Sequence, residues 1–84
     1  VFMETGRFPQ VTNSYGLASL EEVLREDAVF PATKEELVKD QGWKIIDLSP
    51  EERVPASTLL EKLPSKTFSN IGEVIKALKD LGER

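Results

Sequence analysis

The run FPATKEELVKDQGW, residues 30–43, decides how this chain is read. The ring of Pro31 crowds the backbone of the residue before it, so Phe30 is extended rather than helical. Thr33 then supplies a cap oxygen and Glu36 stands three residues further on. In that arrangement each side chain satisfies a backbone N–H near the other. Phe30 is placed to pack against Leu37 across the cap. Glu35 and Glu36 suit the positive end of the helix dipole, and Lys39 suits the negative end. Gly42 is expected to adopt the left-handed conformation that closes many helices. Each polar residue of the run helps to begin or end a helix, and none is left over for chemistry.

Towards the C-terminus, WKIIDL (residues 43–48) reads as a strand, with Trp43, Ile45 and Asp47 on one face and Lys44, Ile46 and Leu48 on the other. Ser49, Pro50, Glu51 and Glu52 suit a type I turn with proline second, and Arg53-Val54 would return as a partner strand. The alternative is a helix capped by Ser49 with Pro50 in its first turn. Pro55 would interrupt that helix within a turn, which favours the hairpin. Ala56, Leu59, Leu60 and Leu63 predict a further helix, stopped by Pro64. Thr67-Phe68 is extended, and Ser69 or Asn70 caps the last helix. Ile71, Val74, Ile75, Leu78 and Leu81 then form the strongest amphipathic stripe in the chain, ended by Gly82.

Towards the N-terminus, Ser19 is expected to open a short helix of about two turns. It would form a capping box with Glu22, and Leu20, Val23 and Leu24 would lie on one face. Residues 1–16, with Asn13, Ser14 and Gly16 as turn formers, read as a flexible or loosely packed segment with a short extended piece at residues 8–12. Met3 is read as the natural start, with Val1 and Phe2 added ahead of it. An internal echo also stands out. Leu20 and Leu24, then Phe30, a cap and Leu37, resemble Leu59 and Leu63, then Phe68, a cap and Ile75. Duplication and convergence on one packing solution account for it equally well. The expected fold is α+β and mostly α: about four short helices with a small β-hairpin, in one domain over residues 17–84.

Eighty-four residues allow a single core and one shallow binding surface. A deep substrate pocket would consume much of that core, which favours a binding or regulatory module over an enzyme. With 11 Lys+Arg against 15 Asp+Glu the net charge is −4, and residues 1–42 carry eight acidic and four basic groups. Polyphosphate affinity comes largely from Lys and Arg displacing counterions, so the acidity argues against nucleic acid and anionic membranes. Neither cysteine nor histidine is present, which removes thiolate and imidazole nucleophiles and metal ligands. The sequence holds no apolar run long enough to span a bilayer and no signal-peptide core. A soluble, cytoplasmic protein is expected.

The pattern FPATKEEL, a hydrophobic strand, a helix ending in Leu63-Pro64, and then TFSNIGEVIKAL resembles a family of small prokaryotic domains of unknown function. Their motif runs Phe/Tyr-Pro-Ala/Val-Thr/Ser-Lys-x-Glu/Asp-Leu. The resemblance spans about residues 30–78, just over half the chain, and implies a compact helical domain. It carries over no site.

No catalytic, cofactor or metal residue is assigned. The adjacent pairs Glu21/Glu22, Glu35/Glu36 and Glu51/Glu52 diverge on a helix and read as solvated faces. Were turnover found, Tyr15 or a lysine would be the first residue to mutate. The leading expectation is a non-catalytic interaction or regulatory module that binds a protein partner or forms a homodimer, with Phe8, Tyr15 and Trp43 as candidate contacts. The alternative is a helix-turn-helix-like nucleic-acid reader. Ser69 and Asn70 would begin its recognition helix, and Lys66, Lys76 and Lys79 would meet phosphates.

Overall fold

Short helices and strands alternate along the computed structural model, which describes residues 12–83. In chain order they are α1 (Leu17–Asp27), β1 (Ala32–Thr33), α2 (Lys34–Gln41), β2 (Ile45–Ser49), β3 (Glu52–Pro55), α3 (Ser57–Leu60), β4 (Thr67–Phe68) and α4 (Ile71–Asp80). The fold is α+β and mostly helical, with two small antiparallel sheets: β2–β3, the expected hairpin, and β1–β4.

The caps read from the sequence around α2 and α4 are present. At α2, Glu36 N donates to Thr33 Oγ1 (3.1 Å) and Thr33 N donates to Glu36 Oε1 (2.9 Å). At α4, Glu73 N donates to Asn70 Oδ1 (2.9 Å), while Ser69 N donates to Glu73 Oε1 (2.8 Å). Gly82 ends α4 with a φ of 92°. Its N–H reaches Lys79 O and the Glu83 N–H reaches Leu78 O, the paired bonds that close a helix through a left-handed residue.

Four local expectations give way to tertiary contacts. Ser19 does not open α1. Gly16 does, at a φ of 69° that favours glycine, and its carbonyl accepts from the N–H groups of Ser19 and Leu20. The helix therefore runs 11 residues, about three turns rather than two, and Ser19 is buried in its first turn. Gly42 is right-handed (φ −65°, ψ −22°). A Cβ there would collide with the Val38 carbonyl of α2 and come within 3.0 Å of Ser57 Cβ, so the preceding turn first, and α3 second, leave no room for a side chain. The helix expected from Ala56 to Leu63 shortens to the single turn Ser57–Leu60. Finally, Trp43 precedes β2 rather than belonging to it. Ile46 and the neighbouring Asp47 are both buried, because Ile46 joins the hydrophobic core while Asp47 is covered by Thr12 and Ser19.

One core joins these elements. Phe68, Leu20, Leu24, Leu37, Ile46, Leu60, Val74 and Leu78 are fully buried, drawn from helices and strands across the described chain. The α1 helix packs on β2 and α4, and α2 packs on α3. The two extended links of the sequence echo lie side by side, with Ala32 opposite Phe68 and Thr33 opposite Thr67. Each strand runs into its own capped helix, and because the pairing is antiparallel, α2 and α4 leave this short ladder at opposite ends.

Beside Ser19 sits a buried polar cluster. Asp47, 2% exposed, accepts at Oδ2 from Thr12 N (2.6 Å) and Thr12 Oγ1 (2.9 Å). Its backbone N–H donates to Ser19 Oγ (2.9 Å), and its carbonyl accepts from Gly16 N (2.8 Å). The Thr12 and Ser19 hydroxyls lie 2.5 Å apart. Since the Thr12 proton is directed to Asp47 or to the Ser14 carbonyl, the Ser19 hydroxyl donates to Thr12. On the outer side, Glu22 accepts from Asn13 N (2.8 Å) and from the Ser14 hydroxyl. Residues 12–16 are thereby fastened to α1 and β2. The rest of the N-terminal segment, including the extended piece expected at residues 8–12 apart from Thr12, lies outside the described residues.

Candidate functional site

An exposed aromatic ring and a small cavity lie together at the C-terminal end of α2. Trp43 is 69% exposed, yet its indole is held in place. Its Nε1–H donates to the Asp40 carbonyl (2.9 Å), and Lys44 Nζ lies 5.8 Å from the ring centroid. Lys44 in turn bonds the Asp27 carboxylate and lies 3.7 Å from Glu26 Oε1. The hydrogen bonds from Lys44 and then from the Gln41 amide hold the Asp27 carboxyl below its ordinary pKa. Backbone geometry and one well-placed cation thus keep a large aromatic ring rigid at the surface.

Next to the tryptophan is a cavity of about 180 Å³, lined by Val29, Pro31, Ala32, Glu36, Leu37, Asp40 and Gln41. Asp40 joins the two features, because its carbonyl holds Trp43 and the residue itself forms part of the cavity wall. Val29, at the rim, is 79% exposed. Glu36 and Asp40 stand one helical turn apart, and neither is in an ion pair among the described residues. Gln41 is only 5% exposed, and its Oε1 is the one buried side-chain polar atom among the described residues without a hydrogen-bond partner. An acceptor left in that state costs about 1–3 kcal/mol. The amide cannot simply turn over, since that would point its oxygen at the Asp27 carboxylate that its nitrogen now serves.

The residues singled out in the sequence fall in different places. Trp43 and Tyr15 are exposed, Trp43 beside the cavity and Tyr15 in the segment that leads into α1. Phe8 lies outside the described residues. Ser69 and Asn70 are committed to capping α4. Lys66 lies over the Phe68 ring at 5.3 Å, and Lys76 pairs with Asp80 at 3.2 Å. Lys79 shares its surface with Glu21 and Asp80. The lysines are therefore interleaved with carboxylates, and Glu73 occupies the start of the helix.

Sequence reasoning missed Gln41 and the cavity. One signal was available: Gln41 follows Leu37 by four residues, so a polar amide occupies the apolar face of α2. Among the described residues no cluster of three or more acidic side chains is arranged to hold a metal ion. None of the described helices is long and apolar enough to cross a membrane. Compared with known proteins, the chain matches no protein-family model, no curated protein and no solved structure.

Proposed function

We propose that this small domain is a non-catalytic protein-interaction module, and that the face around Trp43 is its contact surface. The observation that carries the reading is a tryptophan mostly open to solvent and yet fixed in orientation by Asp40 and Lys44. An exposed indole contributes large apolar area on binding. One already held in position loses little conformational freedom when a partner covers it. Val29 adds exposed apolar surface on the cavity side of Asp40, and Glu36 and Asp40 supply a polar, acidic rim. An apolar centre with a polar surround is the usual anatomy of a contact patch. The acidic setting favours a basic protein surface over a nucleic acid, and the commitment of Ser69 and Asn70 to capping weighs the same way.

The test compares wild-type protein with Trp43→Ala and with Leu81→Ala, an exposed apolar residue at the end of α4. Sedimentation equilibrium reports self-association, and affinity capture followed by titration of the purified partner reports hetero-association. Binding weakened at least tenfold by Trp43→Ala and unchanged by Leu81→Ala is the expected outcome. Equal binding by all three proteins rejects the face.

A further inference from the structure

We propose that residues 12–16 form an acid-released strap: Glu22 and Asp47 hold residues 12–14 against the domain at neutral pH, and acid frees them about a hinge at Gly16 while the core stays folded. The division of the hydrogen bonds carries this reading. Among the described residues, each donor that residues 12–14 turn toward α1 or β2 ends on a carboxylate. Thr12 N and Thr12 Oγ1 reach Asp47 Oδ2 at 2.6 and 2.9 Å. Asn13 N reaches Glu22 Oε1 at 2.8 Å, and the Ser14 hydroxyl takes the other Glu22 oxygen. Hydrogen bonds to an ionised acceptor are about twice as strong as neutral ones. A protonated carboxyl accepts more weakly and brings a donor of its own among groups that are themselves donors.

At Gly16 the bonds are of another kind. Its N–H donates to the Asp47 carbonyl (2.8 Å), and its carbonyl takes the N–H groups of Ser19 and Leu20. Backbone pairs do not titrate, so the start of α1 stays in place when the strap lets go. Little apolar contact is lost in the process. The hydrophobic core begins at Leu17, and Tyr15 is 42% exposed. A segment held by polar bonds and few buried apolar groups opens before the core does.

The charges around the strap set the direction of the pH effect. The Asn13 N–H and then the Ser14 hydroxyl hold the Glu22 carboxyl below its ordinary 4.5, against desolvation and the like charge of Asp47, with a smaller lowering by Arg25. Arg25 is also paired with Glu21 on α1, Arg53 of β3 stands opposite Asp47 in the ladder, and Lys76, Lys79 and Asp80 of α4 adjoin Glu21. The titratable group of the strap itself is Tyr15. Once the strap opens, Glu22 returns to its ordinary value. The closed form therefore has its full advantage above pH 4.5 and loses it as pH falls through the lowered value. In the open form the chain joins the domain at Gly16, beside α1, instead of at Thr12, beside β2.

The experiment follows the full chain by NMR from neutral pH to about pH 2.5. Heteronuclear NOE values at Thr12, Asn13 and Ser14 are set against those at Leu24 and Leu78. The strap values should fall by at least half, with a midpoint below pH 4.5, while the two core leucines keep theirs. Glu22→Gln, a change outside the core, should speed amide exchange at Asn13 at least fivefold at neutral pH and flatten the pH dependence. Loss of strap and core signals at one pH overturns the proposal, because acid then unfolds the domain as a whole. A strap already mobile at neutral pH, or one still ordered at the acid limit, overturns it too. So does exchange at Asn13 that is indifferent to Glu22→Gln.

Discussion

Two buried polar residues of this small domain, Asp47 and Gln41, are treated very differently. Around Asp47 the carboxylate oxygen Oδ2, the backbone N–H and the carbonyl are all matched: Thr12 donates to the carboxylate from its N–H and its hydroxyl, Ser19 receives the backbone N–H, and the Gly16 N–H donates to the carbonyl. Gln41, a residue that lines the cavity, has its nitrogen bonded to Asp27 and its buried oxygen left without a partner. A fully matched polar cluster rigidifies a fold and specifies one arrangement of its parts, whereas a partly matched one is a standing cost. The first therefore reads as architecture, a clasp tying residues 12–16 to α1 and β2. The second is the one unmatched buried side-chain acceptor among the described residues.

The largest expected effect comes from breaking the clasp. Asp47→Ala removes the acceptor of two Thr12 donors and should cost about 2–4 kcal/mol, read as a lower denaturation midpoint. For a domain of this size that is a large fraction of the total stability, so a second readout is useful. Thr12 and Ser19 should lose protection from hydrogen exchange even at temperatures where the core persists. Gln41→Leu should change stability far less, within about 1 kcal/mol, because the deleted unmatched acceptor offsets the lost amide donor to the exposed Asp27 carboxylate and the side chain keeps a similar size. If the two substitutions cost the same, the contrast between a matched and an unmatched polar residue is wrong.

The smallest effect is a pH dependence at the rim of the clasp. The Asn13 N–H and then the Ser14 hydroxyl hold the Glu22 carboxyl below its ordinary pKa of 4.5. A carboxyl whose pKa is lowered by folding contributes its stability above the unfolded value, and that contribution is lost as pH falls through the folded value. The Asn13 amide resonance should thus hold steady just below pH 4.5 and move only at lower pH. A midpoint at or above the ordinary value would show that Glu22 is not fastened to Asn13 in solution. Because the group is solvent-exposed, added salt should weaken the effect.

The contrast also marks where sequence reasoning succeeds. The clasp was misread: Ser19 looked like a helix cap, since a serine three residues before a glutamate fits that pattern locally. Its real partners, Asp47 and Thr12, lie 28 and seven residues away. Glu22, the supposed box partner, reaches instead to Asn13 and Ser14. Gly42 suits a left-handed helix end by its position, but it is right-handed, and its small size is needed because a side chain would meet the Val38 carbonyl and then Ser57. In both cases a residue type was correctly seen as special, and a distant part of the chain supplied the reason for Ser19 and added to it for Gly42.

What this sequence determined unaided was the set of events that involve neighbours along the chain. Thr33 with Glu36, Asn70 with Glu73, Gly82 at a positive φ and the return of Glu52–Pro55 onto Ile45–Ser49 each depend on residues only a few positions apart. Geometry over so short a span is constrained by backbone sterics, whatever the rest of the molecule does. Tertiary structure alone decided that β1 pairs with β4, that Asp47 is clasped, that Trp43 remains outside and that Gln41 borders a cavity. Those outcomes depend on which surfaces meet when distant segments compete for one core, and no local pattern encodes the winner.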